Sequence, residues 1–212
     1  MKIHSFLAAA KIGFMILLAQ GLGAEATEVK IIAGVGMSAV MGELGPQFER
    51  ASGHKLMIWY GNRGTIRLRI EAGEAFDLAI TGALDEFIKE GKIAAGMRTG
   101  IARVGMGVST RAGAPKPDIS SVDAFKRALL KAKSVSYVNP ASGGTSGTYF
   151  EGLLGKMGIA QQMKSKIVYR NQGSEVADAV AKGDADIGIS FTSELAPNKG
   201  VKVAGTLPAA IQ

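Results

Sequence analysis

The sequence predicts an α/β fold arranged as two similar lobes, each a mostly parallel sheet flanked by helices. Three observations lead there. Short apolar runs alternate with segments of helical period from Val29 onward, the pattern of strands joined by crossover helices. Gly is abundant, at 29 of 212 residues, while aromatics make up only 6%, a balance suited to many tight strand-to-helix turns. The chain also repeats itself. Tyr60 to Thr81 lines up with Tyr169 to Ser190, so that Asn62 matches Asn171 and Asp77 matches Asp186, each about 109 positions apart. Upstream, "GVGMSAVMGE" lies on "GGTSGTYFEG", pairing Ser38 with Ser146 at nearly the same offset. Two loop-helix pairs recurring in one order indicate a duplicated supersecondary unit.

The elements follow in order. "VKIIAG" reads as a buried strand, and "MSAVMGELGPQFERASG" as a helix interrupted near Gly45-Pro46, because proline removes a helical donor. "KLMIWY" is a strand and "TIRLRIEAG" a helix ending at Gly73. "DLAIT" is a strand, "LDEFIKEGK" a helix, and "IARVGMGVST" a longer strand. A Pro-rich joint, "APKPD", precedes a helix over "SSVDAFKRALLKA" with Ser120 or Ser121 as N-cap. "SVSYVN" is a strand that runs into the Gly/Ser loop "NPASGGTSG" and the helix "TYFEGLLGKMG". The strand "SKIVYRN", the helix "SEVADAVAKG" and the strands "ADIGIS" and "VKVAG" complete the chain.

Hydrophobic residues at 47% suffice for a packed core. The net charge of +7 hints at an anionic partner. The basic residues stand singly and do not interleave with aromatics, so nucleic acid is not expected. The chain has no Cys, which excludes disulfides and thiolate metal sites, and only two His, His4 and His54. No metal site and no cofactor are expected, and His54 in "SGHKL" reads as an exposed turn residue. Residues 1–26 read as a signal peptide: Lys2, His4 and Lys11 precede the apolar run Ile12 to Leu22, and Ala24-Glu25-Ala26 has the A-x-A form. A cysteine-free, basic, exported protein points to a bacterial periplasm.

The repeated loops carry the chemistry. Each places Gly and Ser or Thr at a helix start, where unpaired N–H groups and the helix dipole favour an anion. Four such starts at the carboxyl ends of strands are expected to converge on a cleft between the lobes. The first pair is Gly36, Met37 and Ser38 with Asn62, Arg63 and Gly64; the second is Thr145, Ser146 and Gly147 with Gln172. Other readings of "GGTSGT" lack parts: no Lys precedes Ser or Thr as a phosphate-binding loop needs, and the final Gly of a nucleophile elbow is missing. "GVGMSA" lacks the third Gly of a dinucleotide fingerprint. Arg63 is a candidate grip for a carboxylate or oxyanion, with a solvated cap residue as the alternative. Phe191 and Thr192 follow the strand "IGIS" and are expected to face the cleft, Phe191 alternatively joining the core and Thr192 an N-cap.

Across nearly the whole mature chain these segments resemble the periplasmic solute-binding proteins of type II, in particular the molybdate-binding-protein-like group. The resemblance rests on "IIAGVGMSAVM", "NRGTIRLRIEAGEAFDLAITGALDEFI", "IARVGMGVST", "NPASGGTSGTYFEGLL" and "SEVADAVAKGDADIGISFTSEL". It implies two hinged α/β lobes with a ligand cleft between them, a monomer that delivers a small anionic ligand to an inner-membrane ABC permease, and no catalysis. It places ligand contacts at Gly36 to Ser38, Asn62 to Gly64, Ser146, Val176 and Phe191. Two positions depart from the pattern: Asn62-Arg63-Gly64 replaces a run of small hydroxyl residues, and Phe191 stands where Tyr is frequent. These departures leave a carboxylate beside a molybdate-like oxyanion as the ligand. The runner-up activity is that of an aconitate isomerase, which belongs to the same broad group, with Glu43, Glu175 or Tyr149 as conceivable bases. The expected division is lobe 1 over 27–105, lobe 2 over 106–200, and a return segment toward lobe 1 over 201–212, with the C-terminal part of lobe 1 missing.

Overall fold

The computed structural model describes residues 27–212; the expected signal peptide, 1–26, lies outside the described residues. The first sheet holds β1 (Glu28–Gly34), β2 (Lys55–Gly61) and β3 (Leu78–Ile80) in the order β2-β1-β3, all parallel. Helices α1 (Ser38–Ser52) and α2 (Arg63–Glu71) make the crossovers, and α3 (Leu84–Lys89) follows β3. The second sheet holds β4 (Met106–Arg111), β5 (Val135–Val138), β6 (Ile167–Arg170), β7 (Ile187–Phe191) and β8 (Val201–Thr206) in the order β6-β5-β7-β4-β8. Around it lie α4 (Val122–Lys131), α5 (Thr145–Lys156), α6 (Ala160–Met163), α7 (Gly173–Lys182) and α8 (Thr192–Leu195).

The repeat read from the sequence is a repeat of topology. β1 lies between β2 and β3, and β5 lies between β6 and β7, all parallel. The paired aspartates do the same work in each copy. Asp77 Oδ2 accepts from Lys30 N–H at 2.8 Å, and Asp186 Oδ2 accepts from Lys133 N–H at 2.8 Å. Each carboxylate thus ties the start of one strand to the start of its neighbour.

Three expectations are corrected. First, β4 joins the second sheet antiparallel to both β7 and β8, so that sheet is mixed, and its ladder starts only at Met106. Second, residues 201–212 do not return to the first sheet. β8 pairs with β4, Leu207 N–H donates to Met106 O at 3.0 Å, and Ala204 and Leu207 are buried in the second core. The apolar residues of this segment match that core, and Val201 and Val203 pack on Val138, Val176 and Leu195. Third, α1 runs unbroken through Pro46. Proline removes one backbone donor there, and Gly45 beside it is buried at ordinary contact distance from Leu56 of β2.

The larger core belongs to the second sheet, where Phe125, Leu129, Tyr137, Phe150, Leu154, Ile159, Met163 and Ile189 are fully buried. Ser121 caps α4 by accepting from Ala124 N–H at 3.1 Å. The first sheet carries a smaller core of Ile32, Ile66, Ile70, Ala83 and Phe87.

Candidate functional site

Four strand-to-helix turns stand at the carboxyl ends of β1, β2, β5 and β6, and hydrogen bonds link three of them. Asn62 caps α2, its Oδ1 accepting from Thr65 N–H at 2.9 Å. The same side chain reaches the other half of the molecule, where Nδ2 donates to Ser142 O at 2.7 Å. Beside it, Gly64 N–H donates to Gly143 O at 3.3 Å. Ser142 Oγ continues the chain of contacts by donating to Asn139 O at 2.8 Å and Asn171 O at 3.3 Å. This seam needs glycine on both sides. A Cβ on Gly143 would sit 2.8 Å from Gly64 Cα, and Gly143 has φ +76°, a conformation that L side chains resist.

An open crevice of about 400 Å³ is lined by Val35, Ser38 and Ala39 from the start of α1, and by Ser174, Asp178, Ser193, Glu194, Pro197 and Asn198 from α7 and the α8 region. The halves also meet closely at Gly36, where Ser193 Oγ lies 3.0 Å from the point where a Cβ would be. The volume falls in the range of small-molecule sites, about 300–1,000 Å³. Three serines, two acids and one asparagine make up the polar lining, and none of its residues is Lys or Arg.

The residues singled out from the sequence divide between seam, crevice and core. Ser38 lines the crevice, and Gly36 closes on Ser193 and Glu194. Met37 ends the 3-10 turn Val35–Met37 just before α1. Asn62 and Gly64 are held in the seam. Ser146 is buried, its Oγ 3.4 Å from Ser190 Oγ, while Thr145 is exposed at the first turn of α5. Gly147 lets α5 rest directly on the β5 backbone, since a Cβ there would overlap the Val138 carbonyl. Gln172 is the exposed N-cap of α7, one position later than its repeat partner Asn62-Arg63 implies.

Four of the singled-out residues are engaged outside the crevice lining, Phe191 in its alternative place beside the core. The Arg63 guanidinium pairs with the Glu86 carboxylate of α3 and so is engaged away from the crevice lining. That pairing, chiefly through the hydrogen bond, raises the arginine and lowers Glu86 relative to their ordinary values. Val176 is fully buried among Val138, Ala177 and Leu195, and its N–H is spent within the helix on Gln172 O. Phe191 packs partly against the second core and pairs with Met106. Thr192 turns its methyl toward Gly107, and its N–H donates to Gly105 O at 3.0 Å. The conceivable bases also lie elsewhere: Glu43 is exposed on α1, Glu175 accepts from Asn171 N–H, and Tyr149 donates to Ile211 O.

Sequence reasoning missed Glu194. It follows β7 in the first turn of α8, and its half-buried carboxyl enters the crevice lining. Ser190 Oγ donates to its Oε2 at 2.6 Å, and the carboxyl sits where a Cβ on Gly173, the first residue of α7, would have to be. Burial pushes this carboxyl above the ordinary carboxylate range, against the opposing pull of the Ser190 hydroxyl and the Phe191 backbone. The available signal was an acid four residues beyond a serine at a strand end, Ser190 and Glu194.

Comparison with known proteins agrees with this architecture. A family model described as bacterial extracellular solute-binding protein matches residues 29–212. An aconitate isomerase of Pseudomonas sp is 31% identical over 190 residues, covering 86% of this chain and 71% of its own length. The molybdate-binding protein ModA of Azotobacter vinelandii is 28% identical over 190 residues, covering 85% and 72% respectively. The solved structure of an Azotobacter vinelandii periplasmic molybdate-binding protein superposes with a TM-score of 0.66 at 20% identity, over 86% of this chain and 80% of that one. With two duplicated strand-helix units meeting turn to turn and a family match over nearly every described residue, the chain belongs to the bacterial extracellular solute-binding protein family.

Proposed function

We propose that this chain captures a small anion in the crevice between its halves and delivers it to an ABC importer of the inner membrane, working as a monomer in the periplasm. One observation carries the reading. The Ser38, Ser174 and Ser193 hydroxyls, from both halves of the duplicated fold, share one crevice at the carboxyl ends of the strands. Such a lining supplies neutral donors, and the starts of α1 and α7 add backbone N–H groups. An oxyanion whose charge is spread over several oxygens matches neutral donors, and the molybdate-binding relatives support that ligand class.

A second reading is favoured by Glu194 and by the aconitate isomerase relative. Moving a proton between two carbons of an unsaturated tricarboxylate needs a positioned base. Glu194 is a carboxyl in the lining whose burial favours the protonated form. A thermal-shift panel separates the two. Stabilisation by molybdate, tungstate or sulfate, with no absorbance change on cis- or trans-aconitate, supports capture for transport. Stabilisation by aconitate or citrate with interconversion of the two aconitates supports the isomerase. Silence toward every anion removes both.

A further inference from the structure

We propose that Glu194 sets which anions this crevice accepts: it favours a ligand that brings its own dissociable proton, and it admits a fully ionised dianion only together with a proton on Glu194. The inference rests on the anion-binding reading and concerns the same crevice.

The ionisable residues of the lining are Glu194 and Asp178, both acids, and no Lys or Arg offsets them. Asp178 is exposed and accepts from Asn198 Nδ2 at 2.7 Å. Arg63, the cation the sequence singled out, is paired with Glu86. The elements packed on α8 are α7, β4, β7, β8 and the 3-10 turn Val35–Met37. On α7, Glu175 is occupied by Asn171 N–H, and Lys182 stands in the last turn, at the opposite end of the helix from Gly173, which the Glu194 carboxyl abuts. Arg111 of β4 and Lys202 of β8 stand at the opposite end of their strands from the Met106–Phe191 pair that leads into α8. The turn and β7 carry no charged residue. An incoming dianion therefore meets a carboxyl with no neutralising cation beside it.

Hydrogen bonding points the same way. Glu194 Oε2 already accepts from Ser190 Oγ. An ionised carboxylate offers only acceptors, as does a fully ionised oxyanion, so the two oppose each other. A protonated carboxyl donates to the oxyanion instead. A ligand bearing an O–H reverses the roles and donates to the carboxylate. Burial, which favours the protonated form of Glu194, makes this exchange easier than at an exposed carboxyl.

The test is isothermal titration of the full chain and of Glu194→Gln with molybdate, which is fully ionised at neutral and alkaline pH, and with inorganic phosphate, which keeps a proton there. In the wild type, molybdate affinity is expected to fall about tenfold per pH unit once Glu194 ionises, the slope of one linked proton. Phosphate affinity is expected to hold over the same range. Glu194→Gln, whose amide keeps the shape and supplies a donor, is expected to flatten the molybdate profile. Titration in two buffers of different ionisation enthalpy is expected to read close to one proton taken up per molybdate in the wild type and none in the variant. Molybdate binding that is flat with pH in the wild type, or unchanged in profile by the substitution, overturns the role of Glu194 while leaving anion binding intact. Failure of both anions to bind either protein at any pH overturns the anion-binding reading and this inference with it.

Discussion

Replacing Gly143 with alanine places a methyl group in the seam that joins the two halves. Two costs follow, and they read out differently. The left-handed backbone at φ +76° is unfavourable for alanine by about 1–2 kcal/mol, wherever the halves stand. In a protein of this size that lowers Tm by about 2–8 °C. The second cost falls on the closed junction. The new Cβ would lie 2.8 Å from Gly64 Cα, and relief requires the turns to part. Parting gives up the Gly64–Gly143 and Asn62–Ser142 hydrogen bonds, at about 0.5–1.5 kcal/mol each. A closure equilibrium shifted by about 1–3 kcal/mol weakens a ligand that needs the closed form by about 5- to 150-fold. Thermal unfolding measures the first effect, and calorimetric titration with whichever panel anion binds measures the second. A variant with lowered Tm whose affinity stays within twofold of wild type would refute the seam's part in binding.

Three further outcomes are expected. Gly152, exposed within α5 with open space around it, accepts a side chain freely, so Gly152→Ala stabilises by about 0.5–1 kcal/mol with unchanged anion affinity; urea unfolding and titration check both. Arg63→Ala leaves anion affinity unchanged and lowers Tm only slightly, because its ion pair with Glu86 is exposed to solvent; a large affinity loss would return Arg63 to the site. The raised Glu194 carboxyl means that the folded state holds a proton the unfolded chain has released. Its contribution to stability is therefore fully present below the ordinary carboxylate value and is lost as pH rises through the folded value. Urea midpoints from pH 4.5 to 8 should show that decline in the wild type and not in Glu194→Gln.

What could be read from the sequence was whatever the chain repeats or punctuates locally. The strand-helix alternation located the strands of both sheets, because apolar runs bounded by Gly and polar turns admit few alternatives. The match of Asn62, Asp77 and their partners foretold a shared topology, since Asp77 and Asp186 make equivalent strand ties. Long-range choices were not legible. Arg63 looked like an anion grip because nothing local reveals Glu86, 23 residues away, as its partner. Residues 201–212 were misplaced because pairing with β4 is decided by register across the sheet. Val176 was assigned by resemblance to the site, while the apolar stripe of α7 turns it into the core. Glu194 was hidden in a short turn, and its importance comes from where Ser190 and Gly173 lie around it.

On the proposed reading, one anion is held between the start of α1 and the start of α7 with α8. Hydrogen exchange on the full chain, with and without the panel anion that stabilises it most, tests this directly. Slowed exchange appearing together at residues 35–39, 173–176 and 192–195 is the predicted result. Protection confined to one half, or elsewhere on the surface, would contradict it.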